Sequence, residues 1–171
     1  MPTYSNATND AATLLSELMQ AHYPKLVEVE LRVGLLFACA TRDKNGEPKG
    51  PAVKHNGWPA AATVRIVNHK DRVAGLPDVQ IVVDGDKWSE WEEKTQRATL
   101  HHELEHIELQ YDQEGNLKTD DCFRPKVKLR PHDFQLGWFH NIIEKYERHA
   151  FEAQALFEAA KQWHQQMFQW G

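Results

Sequence analysis

The chain has 171 residues, of which 41% are hydrophobic, enough for one domain with a buried core. Its formal net charge of -5 argues against broad nucleic-acid binding, although Lys126, Lys128 and Arg130 form one short basic stripe. The isolated Cys39 and Cys122 exclude a disulfide framework and a CxxC zinc knuckle. Neither a secretory signal pattern nor an apolar run of about 18 residues occurs. We therefore expect a cytoplasmic protein without a membrane segment.

The first half of the chain predicts one helix followed by a small sheet. Leu14, Leu15 and Leu18 repeat at helical spacing, whereas the later segments alternate or are rich in β-branched residues. In chain order we predict a helix over 11–22, a strand from about 27 to 40, a turn at 43–46, a loop rich in proline and glycine over 46–59, and strands over 63–67 and 79–83. These strands form a small, mostly antiparallel sheet.

The second half predicts two helices, with a turn and then a strand or loop between them. Ser89 and Glu92 match a capping box that opens a helix running to about Leu109. Residues 113–116 predict a turn, and from Asp133 onward the pattern is helical, with no proline and with Gly137 as the one glycine before the last residue. The predicted fold class is therefore α+β, a small sheet packed on the helix after Glu92, with a long C-terminal helix.

Residues 102–106 read His-Glu-Leu-Glu-His, an HExxH sequence. Four-residue spacing stacks His102 and His106 on one helix face, where both imidazoles can bind one zinc ion. Glu103 lies about 100° around the helix, so its carboxylate can flank the ion and take a proton from activated water. His101 is expected to face away and contact Glu105. The motif predicts a zinc hydrolase with Glu103 as the catalytic base.

A third protein ligand has to come from another part of the chain. Asp112 offers a carboxylate but lacks the preceding glycine of the metzincin pattern, and a glutamate from a following helix would be Glu144 or Glu147. His132 is the favoured ligand, because Asp133 is a candidate N-cap that would fix it at the start of the last helix.

Residues outside the motif match a known pattern: Lys70-Asp71-Arg72, Gly75, Asp78-Val79, Trp88, 98–106, His132-Asp133, Phe139 and Tyr146. With the motif they resemble the putative phage metallopeptidases, small HExxH proteins of phages and prophages that are distantly similar to SprT-like zincins. The resemblance covers residues 64–146. It implies a zincin-like minimal domain over residues 1–146 and favours His132, since the family's HD pair looks like the source of the third ligand. Residues 46–59 and 147–171 depart from the pattern.

Two functions remain open. The favoured one is a zinc metallopeptidase that hydrolyses peptide bonds in a peptide or protein substrate. The alternative is a non-enzymatic phage or prophage protein that binds a host partner and uses zinc structurally. Glu103 favours the enzyme, because a structural tetrahedral site needs no glutamate between its histidines. The aromatic-rich extension, residues 147–171, could form a homodimer or bind a host partner.

Charged residues beside the predicted strands have two interpretations. Arg65, Asp71, Arg72 and Asp78 could bind substrate or brace the sheet. We favour bracing, because charged residues in such positions are usually structural or solvated.

Overall fold

The structure is a computed structural model in which residues 1–132 and Lys161 are described. The chain divides into two compact units, Met1–Pro131 and His132–Gly171. The predicted C-terminal helix, the cap at Asp133 and the extension over residues 147–171 lie outside the described residues, Lys161 apart. The predicted domain boundary after residue 146 stays a prediction.

The unit Met1–Pro131 is an α+β fold, as predicted. Within it the described helices are α1 (Asn9–His22), α2 (Pro24–Glu28), α3 (His69–Val73), α4 (Gly85–Trp88) and α5 (Glu93–Glu105). The strands are β1 (Thr3–Asn6), β2 (Val33–Cys39), β3 (Lys54–His55), β4 (Trp58–Pro59), β5 (Ala62–Ile66), β6 (Val79–Asp84), β7 (Ile107–Leu109) and β8 (Val127–Leu129). No helix in this described part is both long and apolar enough to cross a membrane.

The main sheet has four strands in the order β1-β2-β6-β5. Strand β1 pairs antiparallel with β2, β2 pairs parallel with β6, and β6 pairs antiparallel with β5. The sheet is therefore mixed, with antiparallel pairing at two of its three interfaces. Strands β3 and β4 form a separate hairpin, and β7 and β8 form another.

The core lies between the sheet and the two longest described helices. Thr8 caps α1 by accepting a hydrogen bond from the Ala11 backbone, as favoured at a helix N-terminus. The core side chains include Leu14, Leu15 and Leu18 of α1, Val79, Ile81 and Val83 of β6, and Leu100 and Leu104 of α5. Helix α5 is thus anchored by one apolar face, which leaves its other faces for polar side chains.

The predicted strand from about residue 27 was wrong in its first part. Helix α2 runs from Pro24 to Glu28, and β2 begins only at Val33. Proline suits the first turn of a helix, because it lacks the N–H that would there be unpaired. Leu26 is buried while Val27 is 42% exposed, so the short helix buries a different side chain from the one a strand would bury.

The predicted helix from Ser89 to about Leu109 was wrong at both ends. Ser89 ends α4, and α5 begins after Glu92, which makes no side-chain cap bond. After Glu105 the chain enters β7, in which Ile107 and Leu109 are buried and Glu108 is exposed. That alternation, together with pairing to β8, outweighs continuation of the helix.

Three tight loops fold in the same way, and two of them are the turns predicted at 43–46 and 113–116. In each, one aspartate accepts hydrogen bonds from the backbone N–H groups two and four residues later: Asp43, Asp112 and Asp120. Three residues after each aspartate the backbone has positive φ, at Gly46 (86°), Gly115 (86°) and Phe123 (58°). The last two loops build the connection between β7 and β8.

Candidate metal centre

The HExxH motif occupies the last turn of α5. His102 lies inside the helix, and His106 caps it with φ −71° and ψ −18°. Because these angles are helical, the four-residue stacking of the two imidazoles is kept. Their ring centroids lie 5.1 Å apart, with the ring planes at 81°. Buried Leu100 and Leu104 fix the helix beneath them.

Backbone contacts with Arg130 fix the orientation of His106. The Nδ1 atom of His106 lies 2.7 Å from the Arg130 carbonyl oxygen, and the Arg130 N–H donates to the His106 carbonyl at 2.8 Å. A carbonyl can only accept, so the ring carries its proton on Nδ1 and its lone pair on Nε2. A histidine held in this way is prepared to bind a metal through Nε2.

The structure brings three predicted ligands together. One ligand nitrogen from each of His102, His106 and His132 lies within 4.8 Å of the others. Tetrahedral ligands at about 2.0 to 2.1 Å from zinc lie about 3.4 Å apart, so the three rings would have to close slightly around an ion. His102 and His132 are exposed and His106 is half-buried, so solvent reaches at least two of the three residues. Three imidazoles of this spacing fit a divalent transition metal.

The Glu103 side chain is buried beside this group. Only 6% of the residue is exposed, whereas the neighbouring His102 is exposed. Burial raises the pKa of Glu103 to about 7, against the opposing influence of His106. A carboxyl group near neutrality can both accept and return a proton close to physiological pH.

Polar contacts on the next face of α5 involve Glu105. The Tyr23 hydroxyl donates to its carboxylate, and Arg130 Nη1 lies 2.9 Å from Oε1. The Tyr23 bond, followed by Arg130, holds the pKa of Glu105 below its usual value despite some burial. Burial and then Glu105 raise the pKa of Tyr23. His101 stacks on His22 at 4.6 Å and meets Tyr23 edge-on. It also contributes to the lowered pKa of Glu105, its neighbour four residues along the helix.

Of the alternative third ligands, only Asp112 lies among the described residues. Asp112 accepts two backbone hydrogen bonds within its own turn, and these bonds, with one from the Asn116 side chain, lower its pKa. Glu144 and Glu147 lie outside the described residues.

The charged residues beside the strands brace the fold. Arg72 is 7% exposed and Asp78 is 1% exposed, and Arg72 Nη2 lies 2.6 Å from Asp78 Oδ1. Arg124 Nε lies 2.8 Å from the same oxygen, and Arg72 Nη1 lies 3.2 Å from Asp120 Oδ2. Both arginines also donate to backbone carbonyls. We call Arg72, Asp78, Asp120 and Arg124 the buried ion cluster.

Sequence reasoning missed several members of both sites. Asp120 and Arg124 lie more than 40 residues from their partners, and no local pattern marks them. Tyr23 directly follows the predicted helix over 11–22, and Arg130 belongs to the short basic stripe, and neither position indicates a role beside the histidines. No periodicity connects residues that are separated by 82 positions, as Tyr23 and Glu105 are.

The fold and the histidine group define an α+β protein with a candidate metal centre at the end of a helix. The chain belongs to the family described as "Putative phage metallopeptidase", whose family model matches residues 3–161. This match is wider than the resemblance over residues 64–146, and it includes residues 46–59 and part of the extension, which we expected to depart from the family. No curated protein and no solved structure matches the chain.

Proposed function

We propose that this protein is a zinc-dependent metallopeptidase in which His102, His106 and His132 hold the ion and Glu103 is the general base. The observation that carries the proposal is the convergence of three imidazole nitrogens within 4.8 Å beside a buried glutamate. Membership of the metallopeptidase family supports the same reaction class and a peptide or protein substrate.

Each protein group has a distinct part in this chemistry. Zinc, when bound, supplies a Lewis acid and water of lowered pKa. The Glu103 carboxylate accepts a proton from the attacking water at one of its oxygens. It then returns this proton to the nitrogen of the leaving amine, which becomes a better leaving group. His106 presents Nε2, because its Nδ1–H is engaged by the Arg130 carbonyl. Exposure of His102 and His132 leaves room for the scissile peptide bond.

Zinc is favoured over other metals by the donor chemistry. Imidazoles also suit copper, nickel and iron, but a glutamate adjacent to the histidine pair matches water activation by a redox-inert ion. A purely structural zinc site is usually closed by four protein ligands. The exposed His102 and His132 therefore favour catalysis over the alternative of a host-binding protein with structural zinc. A homodimer or host partner at the extension stays a prediction.

The test combines metal analysis with a peptide digest. Protein purified without a chelating tag should contain about one zinc per chain, and a peptide library incubated with it should be cleaved. A chelator should abolish cleavage, and added zinc should restore it. Protein that contains no zinc and takes up none would contradict the proposal. Stoichiometric zinc with no cleavage of any library member would favour the structural alternative.

A further inference from the structure

The end of α5 and the end of β8 are joined at His106 by backbone contacts. Arg130 follows the last residue of β8, and its N–H and C=O are 2.8 Å and 2.7 Å from the His106 carbonyl and Nδ1. The ring orientation of His106 therefore depends on where the Arg130 peptide groups lie. Because Arg130 stands beyond the paired part of the strand and before Pro131, the β7–β8 pairing alone does not fix its carbonyl.

The side chain of Arg130 provides a second attachment. Its Nη1 lies 2.9 Å from Glu105 Oε1, and Glu105 is the last residue of α5. The Tyr23 hydroxyl donates to the same carboxylate from the junction of α1 and α2. Glu105, the residue directly before His106, thus connects the end of α5 with the end of β8 and with the junction of α1 and α2.

Stability alone does not account for this arrangement well. The Arg130 and Glu105 side chains are 36% and 54% exposed. Exposed ion pairs contribute little to the free energy of folding. Orientation of a metal-ligating histidine by its hydrogen-bond partner has a larger effect, since loss of such a partner commonly costs about 10- to 100-fold in metal affinity.

We propose that Tyr23, Glu105 and Arg130 form a clamp that positions His106 to bind the metal. The clamp residues act through His106 and do not touch the substrate. This inference rests on the proposed function, and it adds three positioning residues to the site. Glu105 is the middle residue of the clamp, so its loss removes the ion pair with Arg130 and the hydrogen bond from Tyr23 together.

The test measures zinc affinity by competition with a chromogenic chelator. We expect Glu105→Ala to raise the zinc dissociation constant about 10-fold, the lower end of the range for loss of a group that supports a metal ligand. The lower end applies because the Arg130 carbonyl still accepts from His106 but is held less firmly. Tyr23→Phe, which removes one hydroxyl, should raise it about 3-fold, and Glu105→Gln, which keeps an acceptor oxygen, should fall between wild type and Glu105→Ala.

Glu108→Gln is the matched control. Glu108 makes an exposed ion pair with Lys128 at 3.1 Å in the same β7–β8 hairpin, two residues from His106. This variant should bind zinc within about 2-fold of wild type. In chelator, Glu105→Ala and Glu108→Gln should both unfold at denaturant midpoints close to that of wild type, so a general loss of stability would not explain a change in zinc affinity.

A second readout reports the ring of His106 directly. Long-range proton–nitrogen spectra of the chelated protein, recorded where histidines are neutral, should show the Nδ1–H tautomer at His106 in wild type and in Glu108→Gln. Glu105→Ala should shift His106 toward a mixture of tautomers, because the Arg130 carbonyl no longer stays in place.

The outcomes separate the clamp from the proposed function. If Glu105→Ala and Tyr23→Phe bind zinc like Glu108→Gln and keep the wild-type tautomer, the clamp is wrong while the metallopeptidase proposal stands. If wild type binds no zinc, the proposed function fails, and the tautomer in the chelated variants still decides whether Glu105 positions His106.

Discussion

The buried ion cluster and the histidine centre, which consists of His102, His106 and His132, both gather polar side chains from distant parts of the chain. Their composition differs. In the cluster, Arg72 and Arg124 face Asp78 and Asp120, and each of the four side chains is at most 10% exposed. In the centre, three imidazoles converge with two of them exposed, and the neighbouring Glu103 is buried.

This difference indicates which site binds a ligand. Two arginines facing two aspartates balance in charge, so the cluster has no excess charge for an added ion to neutralise. Converging imidazoles are all electron-pair donors, so a cation at their centre would complement them. The buried ion cluster therefore braces the fold, whereas the histidine centre is suited to metal binding.

The largest expected effect on function comes from removing a ligand. His106→Ala should lose zinc and peptidase activity, because the two histidines that remain hold the ion poorly. The loss of affinity should exceed the 10- to 100-fold that removal of a supporting partner costs. Metal analysis after dialysis checks this. Stoichiometric zinc in the purified variant would argue against His106 as a ligand.

Glu103→Gln should separate metal binding from catalysis. The amide cannot accept the proton, so activity should fall by about 10²- to 10⁴-fold, the usual contribution of a general base. Zinc content should stay at the wild-type level, because Glu103 is not a ligand in the proposed site. Peptide cleavage at the wild-type rate would show that another group is the base.

Asp78→Ala tests the buried ion cluster. It leaves the guanidinium groups of Arg72 and Arg124 buried without the carboxylate they share, so the unfolding free energy should fall by about 3–5 kcal/mol. Chemical denaturation measures this. The control Glu93→Ala breaks an exposed pair with Arg97 on α5 and should lower the unfolding free energy far less than Asp78→Ala does. A small loss in Asp78→Ala would mean that the cluster does not brace the fold.

The pH dependence of stability tests the environment of the buried Glu103 carboxyl group beside the histidines. In chelated protein, burial raises the pKa of Glu103 from 4.5 to about 7. For a raised carboxyl pKa, the stabilising contribution is complete below 4.5 and is lost as the pH rises to 7. Glu103→Gln, which stays neutral, should thus be more stable than wild type by about 3 kcal/mol at pH 8.

The same two proteins provide the control for this prediction. Near pH 4, where Glu103 is protonated in both states, Glu103→Gln and wild type should unfold at similar denaturant concentrations. A constant difference between them from pH 4 to pH 8 would show that ionisation of Glu103 is not the cause.

The smallest expected effect concerns the loop that carries Arg124 into the buried ion cluster. Phe123 has φ 58° and is 88% exposed, so its side chain contributes little burial while its backbone is strained. Phe123→Gly should stabilise the fold by about 0.5 kcal/mol, since relief of strain exceeds the entropy that glycine adds to the unfolded chain. Gly115→Ala, at the matching position of the preceding loop, should destabilise it. A loss of stability in Phe123→Gly would contradict the strain argument.

Local features were predictable from the sequence alone. The spacing of His102 and His106 follows from helix geometry, and the turns near Asn45 and Gly115 follow from the backbone preferences of those residues. Strands β5 and β6 follow from β-branched runs. Each of these depends on residues only a few positions apart, whose interactions the sequence shows directly.

The tertiary structure decided the rest. It ended α5 at Glu105, because Ile107 and Leu109 are buried in a strand paired with β8. It brought Tyr23 to Glu105 across 82 positions and the Arg130 carbonyl to His106 across 24 positions. Contacts at such separations depend on the whole path of the chain and on which faces are buried, and neither leaves a periodic signal in the sequence.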